Sequence, residues 1–279
     1  YTLDLSQSNA PSAGQPVKLP QLLPVALGLV GRDGQALPLQ LEGEWSAAGT
    51  ERVLVMTEAQ QRFVFVNVAT DPVPSLMRGF SAPVALDDGL SDADLLVLLA
   101  HDSDAFNRWE ASQRLSLSRL LAALPGDGVA ALDDAFVGAM RRLLRDSALD
   151  PSFKELALTL PYEGYVAEHC RSVDPQRIHA VREAMVDQLA ARLHEDWVWA
   201  YEQHQVTGGY RPNAEQSGRR ALANLALAML TRHAVEHGEA HWPGRAYQRF
   251  KDAGNMTDRF GALVALVGAH AELAGPALD

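Results

Sequence analysis

Along the first third of the chain, apolar and polar positions alternate. Tyr1, Leu3 and Leu5 fall on one side of an extended segment, and Val25, Leu27 and Leu29 repeat the pattern. Arg32-Asp33-Gly34 makes a turn before Leu37, Leu39 and Leu41. Residues 52–56 and 63–68 are two further strands, with Phe63 and Phe65 facing one way and Val64 and Val66 the other. Asp71-Pro72-Val73-Pro74 reads as an extended turn, after which residues 76–84 return as a last strand. Period-two alternation broken by turns at short intervals is the pattern of a small antiparallel sandwich.

The alternation stops at Asp87-Asp88-Gly89, and a period of 3.6 takes over. Ser91 with Asp94 predicts a capping box, because a serine hydroxyl and an acid three residues on satisfy each other's backbone N–H. Asp150-Pro151 and Asp174-Pro175 place a capping carboxylate before a proline at the first helical position. Asn213 with Gln216, and Asn255 with Asp258, repeat the cap. After Pro175, Ile178, Val181, Met185, Leu189, Leu193, Trp197 and Tyr201 form one stripe, which predicts a single long helix with a buried face. About eight helices joined by short loops follow from these signals, and no fixed-period repeat emerges. The expected fold is β + α in two domains. Residues 1–88 form a small antiparallel β-sandwich, and residues 89–279 an all-α superhelical, solenoid-like helix array.

Composition narrows the function. Of 279 residues, 47% are hydrophobic and 21% charged, an ordinary globular balance. The net charge is −11 and both parts are acidic, with 5 basic and 9 acidic side chains in residues 1–89 and 19 and 26 in the remainder. Phosphate neutralisation needs a basic face, so nucleic-acid binding is not expected. Arg141-Arg142 and Arg219-Arg220 read as solvated helix faces. No apolar run is long enough for a membrane helix, and no basic region precedes an apolar core as in a signal peptide. The start at Tyr1 suggests an excised segment. Cys170 is the sole cysteine, which fits a reducing cytosol. It reads as an inert, buried thiol, because His169 lies about 100° away around a helix.

All nine histidines lie after the sandwich, from His101 onward. His233-Ala234-Val235-Glu236-His237 spells H-x-x-E-H, in which two histidines one turn apart can ligate zinc. His241 lies about 12 Å further along a straight helix and cannot join them. A peptidase site needs a third ligand from another element, and the sequence identifies none. A polar helix end with exposed imidazoles is the plainer reading. His194-Glu195-Asp196-Trp197-Val198 opens like H-E-x-x-H but has Val198 at the second ligand position. Gly138-Ala139-Met140 is followed by Arg141 where an amine-binding loop needs an acid. Asp133-Asp134 and Asp87-Asp88 are adjacent pairs whose side chains diverge, suited to a first helical turn and a loop. Gly208-Gly209 lacks the pattern of a phosphate loop. The expectation is no catalytic, cofactor-binding or metal-binding residue in this chain.

Several stretches resemble the bacterial aminopeptidase N (alanyl aminopeptidase) group of gluzincin zinc metallopeptidases. Tyr1-Thr2-Leu3-Asp4-Leu5-Ser6-Gln7 resembles the first strand of that family's sandwich. Phe63-Val64-Phe65-Val66-Asn67-Val68 and Pro72-Val73-Pro74-Ser75-Leu76, on to Phe80-Ser81-Ala82-Pro83-Val84, are similar to its last strands. Leu90-Ser91-Asp92 and Phe106-Asn107-Arg108-Trp109-Glu110-Ala111-Ser112-Gln113 are similar to its entry into a helical domain. Asn255-Met256-Thr257-Asp258 resembles a further signature. The resemblance implies a four-domain exopeptidase that removes N-terminal residues from peptides. Its zinc sits in a catalytic domain bearing H-E-x-x-H and G-x-M-E-N, neither of which occurs here. It further implies that this segment binds no zinc itself and orients the catalytic domain against a helical cap. The implied partners are the catalytic and later helical domains of the same chain, in a cytoplasmic, monomeric parent. A free-standing interaction module and a small inverted-zincin peptidase are the rivals.

Overall fold

The alternating segments form six strands: β1 (Thr2–Ser6), β2 (Leu23–Gly31), β3 (Ala36–Leu37), β4 (Glu51–Met56), β5 (Gln60–Val64) and β6 (Pro72–Leu76). They are seen in a computed structural model that describes residues 1–126, 128 and 131–279. β1 pairs antiparallel with β5, so that Leu3 faces Phe63. β2 is the centre of the other sheet and pairs antiparallel with β3, β4 and β6. Leu3, Val25, Leu27, Leu29, Leu39, Leu54, Met56, Phe65 and Leu76 make one core. Removing each large side chain from water contributes about 1.5–3 kcal/mol.

Two local readings change. β6 runs through Pro72 and Pro74, where the sequence suggested a turn, and the expected strand over residues 76–84 is absent. β6 is an edge strand that pairs only with β2 among the described strands, and an edge tolerates residues without an N–H. The outward carbonyl of Leu76 accepts from Asn107 Nδ2 at 2.9 Å. After β6 the chain turns sharply through a short 3-10 segment, Arg78–Phe80, with Met77, Gly79 and Phe80 all left-handed at φ 56°, 58° and 55°. Such a backbone costs about 1–2 kcal/mol per non-glycine residue. It is offset by what the turn delivers, which is the Arg78 guanidinium against the second face of β2. That face is therefore buried at Ala26 and Val30 instead of solvated.

Eleven α-helices follow among the described residues: α1 (Asp92–His101), α2 (Ala105–Ala123), α3 (Asp134–Arg145), α4 (Pro151–Leu158), α5 (Glu163–Glu168), α6 (Pro175–Arg192), α7 (His194–Gln203), α8 (Ala214–Glu236), α9 (His241–Asp252), α10 (Met256–Gly268) and α11 (Ala274–Leu278). The architecture is the expected sandwich followed by a helical array, with more and shorter helices than the periodicity suggested. Every cap read from the sequence is formed. Ser91 and Asp94 close a capping box, and Asp150, Asp174, Asn213 and Asn255 accept from the first-turn N–H groups of their helices. The expected long helix after Pro175 is two helices, α6 and α7, broken at Leu193 (φ −112°, ψ 19°). Trp197 Nε1 donates to the Leu189 carbonyl at 3.1 Å across the break. The stripe from Ile178 to Tyr201 is buried throughout despite it.

Compaction divides the chain at a different place from the change of periodicity. One unit is Tyr1–Ala111 and the other Ser112–Asp279, so α1 and the start of α2 belong with the strands. Within the second unit, α8 packs against α4, α6, α7, α9 and α10. Leu222, Ala223, Ala226, Leu227, Leu230 and Ala234 are buried around it, as expected for a helix covered on several sides.

Candidate functional site

Of the segments that carry the family resemblance, the one from Phe106 to Gln113 holds buried, hydrogen-bonded polar residues. Asn107 is 9% exposed, and its Nδ2 donates to both Ser75 Oγ and the Leu76 carbonyl. Arg108 Nε donates to the Leu99 carbonyl at 3.0 Å. Ser112 is fully buried and donates to the Ala157 carbonyl at 2.6 Å. Buried polar groups persist where partners of this kind satisfy them.

Asn255-Met256-Thr257-Asp258 is less buried, with Met256 and Thr257 exposed, but its polar ends are also paired. Asn255 caps α10, while Asp258 accepts from Arg249 Nη2 at 2.7 Å and lies 3.6 Å from Arg220 Nε. Arg220 is 3% exposed and lies under the Tyr210 ring. With Val206 and Asp252 these groups line a pocket of about 420 Å³. Two arginines and two aspartates leave it without net charge. Arg220 is thus no solvated residue, contrary to the sequence expectation. Arg141 stays exposed as expected, although it and Arg145 grip the buried carboxylate of Asp196 at 2.9 and 2.7 Å.

The remaining sequence candidates separate clearly. Asp133 caps α3 and pairs with Arg119, and Asp134 pairs with Arg192. Gly138 lies inside α3, and Gly208 and Gly209 in the loop before α8. Cys170 donates to the Val166 carbonyl, and the neighbouring His169 ring packs on Tyr165. His241 begins α9 and packs on Trp242.

The end of α8 is different. His233, Glu236 and His237 bring one ligand atom each within 4.8 Å of one another. The His233 ring lies 4.1 Å from that of His237 and 4.5 Å from that of His194, the first residue of α7. Sequence reasoning found the pair on α8 and missed His194, because only the packing of α7 on α8 brings it there. His237 Nδ1 hydrogen-bonds the His233 carbonyl at 2.8 Å. His233 is held below its ordinary pKa, first by burial, then by the neighbouring imidazoles of His194 and His237, with Glu239 and Glu236 opposing. Burial disfavours the charged imidazolium. A second cluster, Glu163, His179 and Glu183, joins α5 to α6.

None of this supplies the zinc-peptidase centre that the resemblance implies for a parent protein. That centre needs two histidines flanking a glutamate general base, and His194-Glu195 is followed by Val198 at the required position. The residues of this chain do not fit it.

The chain matches two family models in succession. Residues 1–89 match a domain of unknown function with an Ig-like fold (DUF3458), and residues 92–279 a domain of unknown function described as ARM repeats (DUF3458_C). Aminopeptidase N of Escherichia coli (strain K12) is 35% identical over 278 residues, covering 97% of this chain and 30% of that protein. Aminopeptidase N of Caulobacter vibrioides is 35% identical over 242 residues, covering 87% and 26%. A crystal structure of Legionella pneumophila aminopeptidase A in complex with aspartic acid aligns with a TM-score of 0.77 at 25% identity, over 100% of this chain and 31% of that one. This chain therefore spans under a third of the length of these relatives.

Proposed function

This chain belongs to the aminopeptidase N family, whose Ig-like and ARM-repeat domains it carries in order, and on that premise we propose that it is the non-catalytic linking segment of a zinc-dependent aminopeptidase. In this reading residues 1–88 are the sandwich domain and residues 89–279 the first part of a helical domain. Together they orient a catalytic domain against a helical cap in a protein that removes N-terminal residues from peptides. The observation that carries the reading is the alignment of 97% of this chain with under a third of aminopeptidase N. In this reading the parent is a cytoplasmic monomer, and the single cysteine of the segment fits a reducing compartment. No described helix is long and apolar enough to cross a membrane. No residue of the segment is assigned to catalysis.

The test compares two polypeptides, the 279-residue chain and the complete product of its open reading frame, on aminoacyl-anilide substrates. Zinc-dependent release of the N-terminal residue is expected from the complete product and none from the segment. Turnover by the segment, or a reading frame that encodes no H-E-x-x-H, overturns the proposal.

A further inference from the structure

We propose that His233, Glu236 and His237, at the C-terminal end of α8, form a binding site for a divalent transition ion of the Zn²⁺ class. This departs from the sequence expectation that the segment binds no metal, and it does not rest on the peptidase reading.

The three residues occupy i, i+3 and i+4 of one helical turn, where side chains share a face. Their ligand atoms lie within 4.8 Å of one another. Zinc–nitrogen bonds of about 2.0–2.1 Å need donors somewhat closer than that. Glu236 is exposed and can turn inward by the difference, while His237 keeps its bond to the His233 carbonyl. The tautomer of one ligand is already set. Nδ1 of His237 donates to the His233 carbonyl, which leaves Nε2 with its lone pair, the outer hydrogen bond that metal-bound histidines characteristically make. The other imidazole lacks such a partner. His233 Nδ1 is buried with no hydrogen bond, an arrangement that is costly unless something satisfies it. The imidazole of His194 closes over His233 from α7.

Charge favours a cation at the same place. The Glu236 carboxylate belongs to the cluster, while the neighbouring Arg232 is turned away to pair with Glu183 and Asp187 of α6. Two imidazoles with one carboxylate suit Zn²⁺, Ni²⁺ or Cu²⁺ better than Mg²⁺ or Ca²⁺, which prefer oxygen. The cluster of Glu163, His179 and Glu183 is the poorer candidate. Glu183 is already ion-paired with Arg182 and Arg232, and His179 Nδ1 is committed to Glu163 at 2.7 Å.

Equilibrium dialysis of the 279-residue chain against Zn²⁺ tests the site and reads no turnover, so its result is independent of peptidase activity. One saturable site is expected. His237→Ala and Glu236→Gln, both exposed changes, should each weaken it by about tenfold or more, since even outer-shell losses in metal sites reach that size. His179→Ala should leave it unchanged, and far-UV circular dichroism of each variant shows that the helices persist. With Co²⁺ as probe, His233→Ala should abolish the visible absorption of a nitrogen-coordinated ion. Absence of saturable Zn²⁺ binding by the folded chain overturns the proposal, as does binding that survives His237→Ala and is lost in His179→Ala.

Discussion

Arg78 Nη2 donates to Asp102 Oδ1 at 2.8 Å, with the arginine side chain 4% exposed and the aspartate fully buried. The same guanidinium donates through Nε to Ser75 Oγ at 2.8 Å and through Nη1 to Ser103 Oγ at 3.2 Å. Burial pushes the Asp102 carboxyl above its ordinary pKa, while hydrogen bonds from Ser75 and the Asp104 N–H, together with the Arg78 charge, hold it back. The group is thus expensive to bury, with Oδ1 bonded by Arg78 and the Asp104 N–H and Oδ2 buried without a hydrogen bond, which makes loss of a partner costly.

Arg78→Ala should therefore destabilise the first unit by about 3–5 kcal/mol, the usual cost of stranding one member of a buried ion pair. Gly28 provides an independent approach to the same contact. A Cβ there would stand 2.4 Å from the Arg78 guanidinium carbon, so Gly28→Ala must displace the arginine. Its cost should be about 1–3 kcal/mol and should shrink in the Arg78→Ala background. Urea denaturation of the four members of the cycle checks this, and additive costs would show that the two residues are not coupled.

Asp258 should matter more than the cap beside it. Asp258→Asn leaves Arg220 and Arg249 facing each other without their shared carboxylate, and about 3 kcal/mol or more is expected. Asn255→Ala removes one capping acceptor, at about 0.5–2 kcal/mol. Thermal melts of the two variants should rank in that order.

The two faces of α10 should respond oppositely. Leu266 is fully buried, and Leu266→Ala should cost about 2–5 kcal/mol. Phe260, on the outer stripe with Val264 and Val267, is 60% exposed, and Phe260→Ser should change stability by less than about 0.5 kcal/mol. Comparable losses in the two variants would mean that the outer stripe is covered in solution.

Glu44 provides a pH test. Its carboxylate accepts two bonds from Arg52, each 2.9 Å, and one from the Leu41 N–H, and is held down to about 2. A depressed carboxylate contributes stability above its unfolded value, near 4.5, and loses it as pH falls toward 2. NMR titration of the Glu44 carboxyl should show the low midpoint in the native chain. Arg52→Gln should restore it toward the ordinary range.

The sequence by itself determined the order of elements. A period of two or 3.6 is a property of neighbours along the chain, and so are the caps at Ser91, Asp150, Asp174, Asn213 and Asn255, each closed within four residues. The stripe from Ile178 to Tyr201 was legible for the same reason, although its break at Leu193 was not. The pair His233 and His237 was legible as a spacing on one turn. Only the tertiary structure decided which charges are buried. Arg78 reaches Asp102 across 24 residues, Arg141 reaches Asp196 across 55, and His194 meets His233 because α7 packs on α8. A charged residue on a helical pattern reads as solvated until another element closes over it. That closure depends on long-range packing, which no local periodicity encodes. For the same reason β6 could run through two prolines, since only the sheet shows that it lies at an edge.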